Sequence, residues 1–274
     1  MRVTVLASGS GGNSILIEAD RTRVLVDAGL AARDLAKRIE RSPAASRLDD
    51  VQAVLVTHEH TDHVSGVAAL GSAGVHVYAT PGTARAARLQ RTRDVAAGER
   101  FALGALEIMP VAMPHDAAEP VGFVLSDGHC RTGILTDCGF PSAEVAAAFG
   151  GCDILILETN HDPDMLRAGA YPPSLKRRIG GTRGHLSNDQ AAEMLRLLGR
   201  PNPRVLILAH LSPLNNRPRL ARLAVERALL PLGPRPRLLV ASQERPTAPV
   251  TVDGGEIHVM PAQDDRQLRL AFPD

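Results

Sequence analysis

Short apolar runs rich in β-branched residues and leucine recur along the chain, and turn residues bound each run. Runs of this length and composition predict strands, and the continuous apolar run at 52–56 is typical of a strand that is buried on both faces. We predict strands at residues 2–7, 14–19, 23–27, 52–56, 75–79, 106–113, 121–126, 132–136, 153–158, 204–210, 237–241 and 256–260.

Segments with apolar residues at helical spacing lie between these strands. Leu35 and Ile39, for example, are four positions apart in the segment 31–41, and side chains at this spacing share one face of a helix. We therefore expect an α/β protein with a single domain over 1–274, built from two β-rich halves and outer helices, to which the tail after Gly254 is peripheral. The predicted helices are 31–41, 82–91, 143–149, 162–168, 174–179, 188–198 and 219–230.

The composition argues against a membrane or exported protein. Hydrophobic residues make up 44% of the 274 positions and charged residues 22%, which is typical of a globular protein. No window approaches the roughly 18 uncharged apolar residues of a membrane span, and the first residues lack the apolar stretch of a signal peptide. The three cysteines, Cys130, Cys138 and Cys152, form no Cys-x-x-Cys pair and no even set for disulfides. We therefore expect a cytoplasmic protein with no membrane partner.

The charge is unevenly distributed along the chain. The formal net charge is +1, but residues 167–237 contain 14 basic and three acidic residues, a net charge of +11. Such a segment suggests an anionic partner, with a solvated arginine-rich surface as the alternative. Five Phe, two Tyr and no Trp leave little surface on which bases could stack. A nucleic acid would therefore be held mainly through its phosphates, without base-specific recognition.

The clearest chemical signal is Thr-His-Glu-His-Thr-Asp-His-Val-Ser-Gly at 57–66, directly after a predicted strand. Neutral imidazoles and a carboxylate are ligands for zinc, iron and manganese. His58 and His60, two positions apart in an extended turn, can converge on one ion, and Asp62 and His63 then face a second ion. A solvated polar loop would have to place all these groups at the end of a strand by chance.

Further potential ligands lie at the ends of other predicted strands. A dinuclear site needs about four protein groups per ion, which is more than the loop at 57–66 supplies. His115, Asp137 and His210 each lie at or just beyond the end of an apolar run. A lone histidine is more often structural, but this recurrence favours a shared site in which Asp137 is a possible bridging carboxylate.

The glycine-rich segment Ser-Gly-Ser-Gly-Gly-Asn-Ser at 8–14 matches no nucleotide-binding loop. Position 14 is serine where G-x-G-x-x-G needs glycine, and the lysine of the P-loop is missing. The glycines are expected to form a tight turn that brings Asn13 and Ser14, two substrate-binding candidates, to the edge of the metal site. The chain also lacks a G-x-S-x-G motif, so a serine hydrolase is not supported.

Together these motifs resemble those of the metallo-β-lactamase fold superfamily, whose signature His-x-His-x-Asp-His is present at 58–63 and is followed in order by the expected His, Asp and His. The resemblance implies an αβ/βα sandwich of four layers, a dinuclear metal site and phosphodiester hydrolysis, with 5′ to 3′ exonuclease activity on DNA. More closely, the chain is similar to the YycJ/WalJ-type hydrolases in the segments 8–14, 25–29, 114–123, 158–162, 171–179, 184–188 and 210–216.

The resemblance also divides the ligands between two divalent transition-metal ions, which would be Zn, Mn or Fe. One ion would be held by His58, His60 and His115, the other by Asp62, His63 and His210, with Asp137 between them. Asp62 is in addition a catalytic candidate. Cys138 stands beside the bridging aspartate where relatives often have threonine, and we expect an inert small side chain there rather than a soft ligand.

His185 is the second catalytic candidate, because related phosphodiesterases place a histidine from this region near the scissile phosphate. It could act as a general acid, and packing in the turn before the helix 188–198 is the alternative. Glu158 is expected to accept a hydrogen bond from a metal-bound histidine. The remaining substrate-binding candidates, of which the first three would bind phosphate, are Lys176, Arg177, Arg178 and Asn188.

The expected function is therefore dinuclear metal-dependent hydrolysis of DNA or another phosphodiester. Two ions would lower the pKa of a bridging water and generate hydroxide at neutral pH. A thioester or lactone hydrolase of the same fold shares the loop at 57–66, but the basic segment and His185 favour a nuclease. A second alternative is a non-catalytic, metal-stabilised nucleic-acid-binding module, although structural metal sites are closed. A β-lactamase is disfavoured because those enzymes work outside the cytoplasm.

Overall fold

The structure of the chain, a computed structural model, describes residues 1–42, 47–199, 201, 203–253 and 256–260. The strands are β1 (Arg2–Ala7), β2 (Ser14–Ala19), β3 (Thr22–Val26), β4 (Ala53–Leu55), β5 (His76–Ala79), β6 (Thr92–Asp94), β7 (Phe101–Leu103), β8 (Leu106–Ala112), β9 (Val121–Ser126), β10 (Arg131–Leu135), β11 (Ile154–Glu158), β12 (Val205–Ala209), β13 (Arg237–Val240), β14 (Val250–Asp253) and β15 (Glu256–Val259). The helices are α1 (Ala32–Arg41), α2 (Thr61–Val64), α3 (Val67–Ser72), α4 (Pro81–Ala86), α5 (Ala143–Phe149), α6 (Pro163–Ala168), α7 (Pro173–Ile179), α8 (Asn188–Leu198) and α9 (Pro218–Leu229).

The strands form two mixed sheets. The first has the order β15-β14-β1-β2-β3-β4-β5-β6, and the second has the order β13-β12-β11-β10-β9-β8-β7. Consecutive strands from β3 to β6 are parallel, as are those from β10 to β13. The other neighbours pair antiparallel, as in the hairpin of β2 and β3.

In several central strands, the β-branched residues face the core between the sheets and the leucines face the helices. In β11, Ile154 and Ile156 belong to the core between the sheets, whereas Leu155 and Leu157 pack toward the helices. β2, β3 and β12 have the same division, with β-branched residues in the central core and leucine outside. Strands buried on both faces read as continuous apolar runs, which explains why the sequence pattern located them.

Helices cover the outer face of each sheet. Leu35 of α1 and Leu70 of α3 pack on the first sheet, and residues of α5, α8 and α9, among them Phe149 and Val225, pack on the second. Two sheets between two helical layers confirm the predicted αβ/βα sandwich of four layers. No helix among the described residues is long and apolar enough to cross a membrane.

The chain direction of the parallel strands brings the potential ligands to one edge of the sandwich. The residues after β3 and β4 share an edge of the first sheet, and those after β10, β11 and β12 share an edge of the second. β8 runs in the same direction as β10, because both are antiparallel to β9. The two edges meet where the His210 amide donates to Ser8 Oγ at 2.7 Å.

The structure corrects the sequence prediction in one helix. The helix predicted at 82–91 ends as α4 at Ala86, because Arg88 and Arg91 have φ values of 53° and 56°, which a right-handed helix does not allow. β6 begins directly afterwards. Of the tail predicted to be peripheral, residues 256–259 form β15, whereas 255 and 261–274 lie outside the described residues.

Candidate metal centre

Three imidazoles converge in what we call the first cluster, formed by His58, His60 and His115. His60 Nδ1 lies 3.0 Å from His58 Nε2 and 3.3 Å from His115 Nε2. Nitrogen ligands at 2.0–2.1 Å from one tetrahedral ion are roughly 3.3 Å apart. The spacing of these three nitrogens therefore suits one ion.

A second cluster, of Asp62, His63 and His210, lies beside the first. Asp62 Oδ2 is 3.5 Å from both His63 Nε2 and His210 Nε2. Asp137 reaches both clusters, because its Oδ2 is 3.5 Å from His63 Nε2 and its Oδ1 is 3.9 Å from His115 Nε2. The structure thus brings all seven predicted ligands together, with Asp137 between two triads that could each hold an ion.

Two atoms at the centre show that these side chains fit a cation. Asp137 Oδ2 and His210 Nε2 are buried, and neither has a hydrogen-bond partner among the described residues. A buried polar atom without a partner costs free energy. A divalent ion accepting both atoms as ligands would remove that cost.

Each buried imidazole of the two clusters is held through the nitrogen that faces away from the centre. His63 Nδ1 donates to Asp27 Oδ2 at 2.7 Å, and His58 Nδ1 lies 3.0 Å from Thr57 Oγ1. The backbone carbonyl of Gly184 accepts from His115 Nδ1 at 2.9 Å. These partners fix the ring orientations and the tautomers in which Nε2 is unprotonated and faces the centre. His63 Nε2 also lies 3.1 Å from Asn13 Nδ2.

Glu158 holds two histidines at once. Its Oε1 accepts from His210 Nδ1 at 2.9 Å and from His185 Nδ1 at 2.8 Å. Its Oε2 accepts from the backbone amides of Cys138 and Leu186. Glu158 is completely buried, so this one carboxylate fixes His185 relative to the second cluster.

Three of the six non-glycine residues with positive φ in the described part of the chain lie at the strand ends that form the centre. Asp27, Asp137 and His210 have φ values of 61°, 56° and 56°. The left-handed conformation is unfavourable for residues with a side chain and costs about 1–3 kcal/mol where it is imposed. Here it turns each side chain toward the cluster directly after its strand ends.

Neighbouring carboxylates raise the pKa of the two histidines in the second cluster. Burial lowers the pKa of His63, but Asp137 and Asp27 outweigh burial and raise it to about 10. Burial raises the pKa of Asp62, but His210 and His63 outweigh it and hold this pKa well below its usual range. Coordination requires a neutral imidazole, so metal binding at the second cluster competes with protonation of its histidines.

The glycine-rich segment between β1 and β2 hydrogen-bonds to the loop that carries Asp62 and holds it in place. The Asn13 amide donates to the Asp62 carbonyl at 2.7 Å, and Asn13 Nδ2 is 3.3 Å from Asp62 Oδ2. Gly29 packs so closely that a Cβ there would collide with the Asp62 carbonyl oxygen. Ser14 is completely buried and donates to the Asp27 carbonyl at 2.8 Å. Ser14 therefore has no surface for a substrate.

A cavity of about 390 Å³ opens onto the two clusters, and we call it the metal cavity. His185 and Arg178 are both among its lining residues. Arg178 Nε donates to Asp116 Oδ2 at 2.5 Å, and this ion pair ties α7 to the residue that follows His115. A predicted general acid and a predicted phosphate ligand thus share one cavity with predicted metal ligands.

The other substrate-binding candidates do not line the metal cavity. Lys176 Nζ donates to the Arg167 carbonyl at 2.7 Å, and Arg177 is exposed on α7. Asn188 is buried and exchanges hydrogen bonds with the Asn216 side chain. Other residues of the basic segment 167–237 also lie away from the metal cavity. Arg196 and Arg227, for example, line a separate groove beside α8 and α9.

The environment of Cys138 supports an inert role. The side chain is completely buried, and its Sγ donates to the Phe140 carbonyl. Burial and the nearby Glu158 charge raise the pKa of this thiol to about 12. A thiol with this pKa stays protonated at neutral pH and is a poor metal ligand.

Comparison with known proteins agrees with this geometry. A family model for the β-lactamase superfamily domain matches residues 22–211. The chain belongs to the metallo-β-lactamase superfamily. Among its relatives in this superfamily, exodeoxyribonuclease YycJ of Bacillus anthracis is 33% identical over 237 residues, which cover 84% of this chain and 89% of that protein. Exodeoxyribonuclease WalJ of Streptococcus pneumoniae is 34% identical over 242 residues, covering 83% and 88%.

Solved structures share the metallo-β-lactamase fold with this chain. Zn²⁺-bound PqqB from Methylobacterium extorquens has a TM-score of 0.69 at 21% identity, covering 90% of this chain and 99% of PqqB. The short form of human tRNase Z has a TM-score of 0.62 at 15% identity, covering 90% and 99%. At these identities the likeness concerns the fold alone.

Several residues that hold this metallo-β-lactamase centre together were not singled out in the sequence. Asp27 and Thr57 orient His63 and His58, and Asp116 holds Arg178. An available signal for Asp27 was its position directly after an apolar strand, as for Asp137. Nothing in the sequence pointed to Gly184, whose contribution is a backbone carbonyl.

Gly184→Ala is expected to destabilise the fold and reduce activity together. A Cβ at Gly184 would collide with the carbonyl oxygens of Arg178 and Ile179, so the turn must move, together with the Gly184 carbonyl that orients His115. We expect a loss of about 1–3 kcal/mol in the free energy of unfolding, measured by urea denaturation. The control is Gly150→Ala, where the nearest atom is 3.4 Å away. Equal stabilities of the two variants would contradict the account of this turn.

Proposed function

We propose that this chain is a dinuclear metal-dependent phosphodiesterase that degrades DNA from an end, as a 5′ to 3′ exonuclease. The observation that carries the proposal is the pair of ligand clusters on either side of Asp137, in a cavity that also contains His185 and Arg178. The similarity to two exodeoxyribonucleases over more than four-fifths of this chain supports DNA as the substrate.

The ligand atoms fit two divalent transition-metal ions, Zn, Mn or Fe. Such ions would neutralise charge on the phosphoryl group and make a water molecule acidic enough to attack phosphorus near neutral pH. The first cluster would hold one ion, the second cluster the other, and Asp137 would contribute to both. The Asp62 side chain is 24% exposed and lines the metal cavity, so its carboxylate is placed to accept a hydrogen bond from the attacking water and to orient it.

His185 is suited to protonate the leaving oxygen. Its Nδ1 hydrogen-bonds to Glu158 Oε1, and no described residue hydrogen-bonds to its Nε2. The side chain is 20% exposed and lines the metal cavity. A histidine oriented by a carboxylate and open on its other nitrogen can hold a proton at Nε2 and transfer it to the departing alkoxide.

A thioester or lactone hydrolase of the same fold remains the main alternative. A thiolate leaves without prior protonation, so a thioester hydrolase has less need of His185. A lactone is uncharged, whereas Arg178 favours an anionic substrate. A binding module that only keeps metal for stability is a weaker alternative, because a module of that kind has no use for a general acid in an open cavity.

One assay separates these functions. The protein with added Mn²⁺ or Zn²⁺ is given single-stranded DNA labelled at either end, bis(p-nitrophenyl) phosphate and a thioester. We expect cleavage of both phosphodiesters, with early release of the 5′ label as a mononucleotide. Hydrolysis of the thioester alone would indicate the alternative enzyme, and DNA binding without cleavage would indicate a binding module.

Arg178→Ala is expected to weaken DNA binding and to reduce the salt dependence of the affinity. Each phosphate contact contributes about one unit to the slope of log affinity against log salt, so the slope should fall by about 1. The control is Arg222→Ala, because Arg222 pairs with Glu226 on the surface of α9. Fluorescence anisotropy at several salt concentrations measures both slopes. An unchanged slope for Arg178→Ala would mean that Arg178 only pairs with Asp116.

A further inference from the structure

The metal cavity has an apolar side that phosphodiester hydrolysis does not itself require. Tyr171, Leu175 and Ile179 line it, and all three are half-buried. Leu175 and Ile179 are one turn apart on α7 and so lie on the same face, and Tyr171 comes just before the helix. The rest of the lining consists of polar or charged residues and a glycine, the metal-ligand candidates included.

Tyr171 is the aromatic member of this apolar lining. No residue that the structure describes hydrogen-bonds to its hydroxyl, although tyrosine hydroxyls usually find a partner when they are buried. The other tyrosine of the chain, Tyr78, is buried in the core and stacks on Phe101. Tyr171 is the one tyrosine that lines the metal cavity, and it belongs to none of the hydrophobic core clusters of the described residues.

The position of this apolar surface is fixed relative to the metal ligands. The His185 amide donates to the Ile179 carbonyl at 2.9 Å, which ties the end of α7 to the predicted general acid. The ion pair of Arg178 with Asp116 ties the same helix to the residue after His115. A ligand can therefore contact the metal side and the apolar side simultaneously, in one defined geometry.

A ligand that fills this cavity must combine an anionic group with a flat apolar group. The volume of about 390 Å³ is at the small end of ligand pockets and suits one nucleotide rather than a base pair. We propose that Tyr171, Leu175 and Ile179 form a nucleobase subsite, in which the base next to the scissile phosphate stacks on the Tyr171 ring. This inference rests on the proposed nuclease function and specifies its substrate.

Two properties of the substrate follow from this subsite. Every base has a π-face, so stacking on Tyr171 tolerates any sequence. A base within a duplex is stacked on its neighbours and must leave them to enter the cavity, at a cost in free energy. The substrate class is therefore DNA with a single-stranded or frayed end, cut without regard to sequence.

The test compares two single-stranded oligothymidylates, one intact and one with abasic residues at the terminal positions of both ends. Loss of a stacked base costs about 1–3 kcal/mol, so the wild type is expected to show a kcat/KM about 5- to 150-fold higher on the intact strand. Tyr171→Ala should remove this difference, and Tyr171→Phe, which keeps the ring, should retain it. The control is Leu197→Ala, an exposed leucine of α8, which should also retain the difference.

The outcomes separate the subsite from the proposed function. If the wild type cleaves both strands at equal kcat/KM, or if Tyr171→Ala lowers kcat/KM by the same factor on both, the nucleobase subsite is wrong and the nuclease function stands. If the wild type with metal cleaves neither strand nor bis(p-nitrophenyl) phosphate, both proposals are overturned. Metal content of the Tyr171 variants, measured alongside, is expected to equal that of the wild type.

Discussion

Asp62→Ala is expected to lose bound metal and DNA hydrolysis together, with a decrease in turnover of about 10³-fold or more. The Asp62 carboxylate lies 3.5 Å from the Nε2 atoms of His63 and His210, and it is the negatively charged ligand of the second cluster. Charge stabilisation by a metal ion contributes several kcal/mol to catalysis, and 1.36 kcal/mol corresponds to a factor of ten in rate. Metal analysis and a DNA cleavage assay on the same preparation measure both losses.

The fold should survive this substitution. Asn13 is held by the backbone carbonyl of Asp62, which alanine keeps. The control is Asp189→Ala, an exposed carboxylate in the first turn of α8 that does not line the metal cavity, and it should retain metal and activity. An Asp62→Ala protein with full metal content and full activity would contradict the assignment of Asp62 as a ligand.

His185→Ala is expected to retain metal and to lose about 10²- to 10⁴-fold in turnover of DNA, the range typical of a general acid. The loss should be small on bis(p-nitrophenyl) phosphate, because p-nitrophenolate leaves without a proton. The physical basis is the hydrogen bond of 2.8 Å between His185 Nδ1 and Glu158, which fixes the ring and leaves Nε2 open to the cavity. Parallel kinetics on the two substrates, with metal analysis, measure the difference.

The matched control is His129→Ala, because His129 is exposed in the turn between β9 and β10, at the opposite end of β10 from Asp137. It should behave as the wild type. Equal losses on both substrates with metal retained would assign His185 to phosphate positioning instead of proton transfer. Loss of metal from His185→Ala would make His185 a ligand.

The sequence predicted the strands well because most of them are buried on both faces. In β11 and β12, isoleucine or valine alternates with leucine without a polar interruption, and such runs are hard to mistake. The edge strands β6 and β7 escaped prediction, as did β14. β6 is Thr-Arg-Asp with no buried residue, so no apolar pattern marks it, and only its pairing with β5 makes it a strand.

The candidate ligands could be found in the sequence because each follows an apolar run, but the residues that orient them could not. Asp27 reaches His63 only because β3 and β4 are parallel neighbours, although 36 positions separate the two residues in the chain. Ser14 illustrates the converse. It was predicted to reach the substrate, yet it begins β2 with its side chain turned into the protein, where its hydroxyl donates to the Asp27 carbonyl.

The most direct test of the central claim is a titration of the metal-free protein with Mn²⁺ or Zn²⁺ in which bound metal per chain and nucleotide release from single-stranded DNA are measured together. The account predicts that nucleotide release depends on metal and reaches its plateau as the second ion per chain binds. Full nucleotide release by the metal-free protein, or no release from DNA by protein that holds two ions, would contradict it.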